Sequence, residues 1–166
     1  MRPIAAAMVE IDILIEDDRW AAIGLDALAE VAVTAALAGA GIKPGSEVSI
    51  LACDDARIAA LNEQFRGKPT PTNVLSWPAE DLSPAIDGAR PLPPQVPELG
   101  DIAISYDTCA REAAETGKKL PDHVTHLIIH GVLHLLGYDH ETDKEATLME
   151  ELEIKTLETL GIHNPY

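Results

Sequence analysis

The sequence predicts one α/β (α+β) domain: a mixed sheet of about four strands packed with about five helices, one helix buried. Three observations predict it. Strand-like and helix-like runs alternate along 166 residues, a length suited to a single core. Two strand-like runs, 73–77 and 99–105, have no helix between them, so a purely parallel sheet with helical crossovers does not fit. The segment from Pro121 to about Leu136 is apolar nearly all round apart from its histidines, so it belongs inside, across the sheet.

Residues 8–15 alternate apolar and acidic side chains and read as a strand with one wet face. The seven residues before them read as a frayed extension. The Ala/Leu/Val-rich run from about Trp20 to Ala40 reads as one helix, stopped by Gly39 and Gly41. Residues 46–53, SEVSILAC, form a second strand. Asp54 or Asp55 caps the helix DARIAALNEQF. The chain turns back at Arg66-Gly67-Lys68-Pro69 and enters the 73–77 strand. Eight of the twelve prolines lie between Pro69 and Pro97, which makes 78–98 a long proline-rich loop. It is not a linker, because too little core-forming sequence flanks it on either side to stand alone. Residues 1–166 therefore form a single domain. LGDIAIS, 99–105, resumes as a strand, and Tyr106–Thr116 is a helix ending at Gly117. The histidine helix follows, then a last helix over about Asp143–Leu160 with Leu148, Met149, Leu152 and Leu160 inward. No internal repeat is present.

The net charge of −16 excludes a broad polyanion-binding surface. Residues 55–72 are the exception, with Arg57, Arg66 and Lys68 against Asp55 and Glu63. Any nucleic acid would have to be met in a local cleft. No apolar run is long enough to span a bilayer, and the N-terminus is a poor signal peptide, so the cytoplasm is expected. Cys53 and Cys109 stand in apolar contexts and read as small buried thiols rather than paired zinc ligands.

The chemistry is concentrated in HGVLHLLGYDH, residues 130–140. Residues four apart share one helix face, so His130 and His134 can reach one metal ion. A chain reversing at Gly137 can bring in His140. Three imidazoles leave a fourth position open, as in a catalytic zinc centre. Zinc is the first expectation, although imidazole also suits nickel, copper and iron. His126 shares part of the same face and is an alternative third ligand. His140 is preferred, because eight helical residues carry His126 about 12 Å from His134. His126 then stands behind the ligands or near substrate. The spacing H-x-x-x-H-x-x-G-x-x-H is that of metzincin proteases, but their general-base Glu is replaced by Gly131. Losing such a base removes roughly 10²–10⁴-fold in rate.

Together, HGVLHLLGYDH, FRGKPTPTNVLSWP and LGDIAIS resemble the bacterial YbeY family of endoribonucleases, from the 46–53 strand to the last helix. The resemblance implies a zinc-dependent, single-strand-specific endoribonuclease of small-subunit rRNA 3′-end maturation and ribosome quality control. Its partners would be single-stranded RNA, the small ribosomal subunit and its assembly factors. It implies zinc on His130, His134 and His140, and a catalytic role for Arg66 from R-G-K-x-x-P-T. Trp77 stands where Phe is usual in the family, and the 78–98 loop is longer.

A guanidinium suits bidentate phosphate contact, which makes Arg66 the natural phosphate partner. Lys68, Asn73 and Ser76 are candidate substrate contacts, and Asp101 a candidate carboxylate behind a histidine. No general base is evident, so attack by water activated at the metal and attack by the ribose 2′-OH both fit. Two other readings compete with the nuclease: a metal hydrolase of peptide-like substrates, and a non-catalytic assembly factor with a structural zinc. Nothing in these patterns speaks to oligomeric state.

Overall fold

The structure, a computed structural model, describes residues 9–166; the extension expected over residues 1–7 lies outside the described residues. β1 (Glu10–Ile15) keeps the period of two, with Glu10, Asp12 and Leu14 exposed and Ile11, Ile13 and Ile15 packed on the core. Two helices, α1 (Arg19–Ala22) and α2 (Leu25–Gly39), stand where one was expected, so the described residues form six helices rather than about five. Gly24 separates them at φ 70°, a left-handed conformation that glycine adopts without strain. The break accompanies a fully buried Trp20, whose Nε1–H donates to the Cys53 carbonyl at 2.9 Å.

β2 (Glu47–Cys53) leads into α3 (Asp55–Arg66), where Asp54 Oδ1 accepts from the Arg57 N–H at 2.9 Å. β3 (Val74–Pro78), β4 (Glu98–Ser105), α4 (Tyr106–Thr116), α5 (Leu120–Leu135) and α6 (Asp143–Thr159) complete the order. The sheet runs β1-β2-β4-β3, with β1, β2 and β4 parallel and β3 antiparallel on the edge. It is the mixed sheet expected from the missing helix between β3 and β4.

Strand parity decides what faces the histidine helix. Ile102 and Ile104 join the large core with α2 and α5, whereas Ala103 joins Ile58 and Leu75 beneath α3. α5 crosses the first face with ten of its sixteen residues buried, as its apolar circumference requires. Each large aliphatic side chain so buried contributes about 1.5–3 kcal/mol. The helix lies close to the sheet at Gly131, where an added Cβ would sit 3.1 Å from Ile102 Cδ1 and 3.3 Å from Ser76 Oγ.

Residues 79–97 form no helix or strand. The Leu92 N–H donates to the Leu82 carbonyl at 2.9 Å, and the Thr142 hydroxyl to Asp87 at 2.6 Å. Leu82 is buried against the turn after α5. Cys53 and Cys109 are fully buried free thiols, and burial raises both pKa values, Cys53 to about 12. Among the described residues no helix is long and apolar enough to cross a membrane.

Candidate metal centre and its cleft

The end of α5 builds the site. The Gly137 N–H donates to the His134 carbonyl and the Tyr138 N–H to the Leu133 carbonyl, each at 3.0 Å. This pair of bonds is a Schellman motif, and Gly137 holds its left-handed position at φ 99°. The reversal returns the chain across the last helical turn. Tyr138 then presents its carbonyl to His134 Nδ1 at 3.0 Å, and His140 reaches the other two rings.

His130, His134 and His140 each offer a ligand atom, all within 4.8 Å of one another. The Nε2 atoms of His130 and His134 are 3.0 Å apart. Tetrahedral nitrogens at about 2.0–2.1 Å from zinc would lie roughly 3.3–3.4 Å apart, close to that spacing. The Nδ1 atoms are already taken. A carbonyl only accepts, so His134 Nδ1 carries its proton toward Tyr138. A carboxylate only accepts, so His130 Nδ1 carries its proton toward Glu153 Oε2, 2.6 Å away. With both Nδ1 atoms so engaged, the two Nε2 atoms face one another, an arrangement that a cation between them would relieve. The donor set therefore fits a divalent metal. Burial, reinforced by His130 and His140, pushes the His134 pKa down to about 4, so it is neutral at pH 7, the form that ligates.

Glu153 had no place in the sequence reading. It is fully buried on α6 and accepts from His130, from His126 Nε2 at 2.9 Å, and from the Tyr166 hydroxyl. Burial pushes its pKa up, but the bonds from His126, His130 and Tyr166 prevail and bring it to about 2. A signal was present: Met149, Glu153 and Leu157 recur every four residues, all buried, so Glu153 lies on the apolar stripe of its helix. The inward residues Leu148, Leu152 and Leu160 are only partly buried beside that stripe. His126 thus meets Glu153 and lies outside the cluster of His130, His134 and His140.

A cleft of about 700 Å³ opens over the histidines, lined by Arg66, Asn73, Val74, Ser76, residues 78–83, His130, His134 and residues 137–141. Among the described residues Arg66 is its one cationic side chain, against Glu80, Asp81, Asp139 and Glu141. Asn73 lines the cleft but its amide is engaged, Nδ2 donating to Glu112 at 3.0 Å and Oδ1 accepting from the Val74 N–H at 2.7 Å. The Ser76 hydroxyl donates to the Gly131 carbonyl at 3.3 Å and so ties β3 to α5. Lys68 is exposed beyond α3 and does not line the cleft.

Asp101 requires a correction. It is paired with Trp77 and shares the face of Ala103, on the opposite side of the sheet from α5, so it stands behind none of the histidines. Gly131 also gains an explanation. The position where a metzincin carries its Glu is pressed against Ser76 and Ile102, so that even a Cβ there would require both side chains to give.

The chain was compared with known proteins. A family model described as Endoribonuclease YbeY matches residues 11–161. A protein named endoribonuclease YbeY from Dinoroseobacter shibae is 59% identical, the match covering 100% of this chain and 95% of that protein. One of the same name from a Jannaschia species is 58% identical, covering 95% of this chain and 100% of its own length. The solution structure of TM1509 from Thermotoga maritima superposes with a TM-score of 0.59 at 26% identity, covering 91% of this chain and 87% of that one.

Proposed function

The chain belongs to the YbeY family of endoribonucleases, and from that premise we propose that it is a metal-dependent, single-strand-specific endoribonuclease of small-subunit rRNA 3′-end maturation and ribosome quality control. The observation that carries the metal dependence is the pair of Nε2 atoms, 3.0 Å apart, whose rings already commit both Nδ1 protons elsewhere. His130, His134 and His140 hold the ion, with zinc the expected metal. When bound, it polarises a phosphoryl oxygen and lowers the pKa of a water ligand toward about 7. Arg66, which lines the same cleft, takes a non-bridging phosphate oxygen by charge-assisted hydrogen bonding and stabilises charge developing at phosphorus. Ser76 holds the edge strand against α5. Single-stranded RNA is the substrate, with the small ribosomal subunit and its assembly factors as partners, in the cytoplasm.

A peptide hydrolase is the competing reading, and Gly131 weighs against it, since neither its side chain nor its packing supplies the base at that position. The test compares single-stranded RNA with casein as substrates for wild type and Arg66→Ala. We expect RNA cleavage only, falling by at least about 10²-fold in Arg66→Ala with one metal per chain retained. Casein cleavage, or an Arg66→Ala protein as active as wild type, would overturn the assignment.

A further inference from the structure

Glu153 does not line the cleft, yet it is fully buried and accepts from three side chains. A fully buried carboxylate is costly unless every strong acceptor site finds a donor. Here Oε2 accepts from His130 Nδ1 at 2.6 Å, and Oε1 from His126 Nε2 at 2.9 Å and from the Tyr166 hydroxyl. The three donors come from two separate stretches of chain, α5 and the C-terminal residues beyond α6. His126 Nδ1 is buried with no hydrogen-bond partner among the described residues, so the one bond His126 makes through its ring is the one to Glu153.

We propose that Glu153 is a positioning residue for the metal centre: it binds His130 Nδ1–H so that only Nε2 is offered to the ion, while His126 and Tyr166 hold the carboxylate in place. This rests on the metal reading above. A neutral imidazole has two tautomers, and a ring free to choose between them spends part of its time with a proton on the ligating nitrogen. An acceptor fixed behind Nδ1 removes that choice and the ring rotation that accompanies it. His134 receives the same service from the Tyr138 carbonyl through the Schellman turn. His130 lies a full helical turn earlier, beyond reach of that turn, and depends on a side chain from α6. The acidic, Glu-rich last helix thus carries one glutamate whose work is done inside the molecule.

A purely structural carboxylate would affect stability alone, so the test reads metal affinity and the tautomer directly. Zinc affinity is measured by competition with a chromophoric chelator on the metal-stripped full chain, for wild type, Glu153→Gln, Glu153→Ala and Tyr166→Phe. The His130 tautomer is read in metal-free protein at pH 8 by long-range proton–nitrogen NMR. We expect Nδ1–H at His130 in wild type and a mixture in Glu153→Ala, with zinc affinity lowered roughly 10–100-fold. Glu153→Gln keeps an acceptor and falls between, and it carries the test if the alanine variant does not fold. Tyr166→Phe shows a smaller loss in the same direction. Wild type and both Glu153 variants binding zinc within twofold, with His130 unchanged, would overturn the positioning role alone. Wild-type protein that takes up no zinc would instead overturn the metal reading on which the role rests.

Discussion

His130 and His134 differ in what stands behind them, and that difference sets the behaviour of the site. His134 leans on a backbone carbonyl, which cannot titrate, whereas His130 leans on Glu153, which can. In the folded protein Glu153 has a pKa of about 2, below its ordinary value of 4.5. A carboxylate depressed in this way stabilises the fold above its ordinary value, and the contribution is lost as pH falls from about 4.5 toward 2. Urea denaturation of wild type and Glu153→Gln at pH 6, 4 and 3 checks this. The stability advantage of wild type should be full at pH 6 and shrink at each lower pH; an advantage that stays constant would show that Glu153 does not titrate in this range. Legibility at this scale was divided. The convergence of His130, His134 and His140 could be read because helical spacing and one glycine are written in the chain. Glu153 carried a weaker signal, because α6 holds several glutamates and Glu145 shares the four-residue spacing of Met149, Glu153 and Leu157.

At the scale of elements, the site is the end of one helix and the turn after it. Gly137 carries that turn at φ 99°, and an added Cβ would lie 2.8 Å from the Leu82 carbonyl oxygen. Gly137→Ala is therefore strained twice, by its own backbone and by the loop packed on it. We expect a loss of about 1–3 kcal/mol, measured by denaturation, together with weakened metal binding, because the turn sets where His140 stands. Stability and metal affinity both at wild-type values would contradict this account of the turn. The same helix was the most legible element, since burial on all sides leaves an apolar run with no wet face. Strand β4 was the least legible in phase. It is covered on both faces, so LGDIAIS lacks the alternation that would have shown Asp101 turning away from the histidines. The α1–α2 break turns on one glycine in an Ala/Leu-rich run, a signal too weak to separate from a tolerated helical glycine.

For the whole molecule, the charge of −16 and the chemistry have to be reconciled. Among the described residues Arg66 is the single cation lining a cleft that holds four carboxylates, so on the proposed reading phosphate would be met by one guanidinium and by an ion on the histidines. An enzyme built this way would depend on a metal for electrostatics as well as for reactivity. Overall architecture was readable from element order because the chain between β3 and β4 lacks a crossover helix; the face on which each side chain lands was not, because that depends on packing between distant segments. The most direct test strips the full chain with chelator and follows cleavage of single-stranded RNA as zinc is returned, with His134→Ala treated in parallel. We predict loss of cleavage on stripping, recovery that saturates at one zinc per chain, and no recovery in His134→Ala. Cleavage that survives stripping, or that His134→Ala performs as well as wild type, would contradict the assignment of the three histidines as the centre of catalysis.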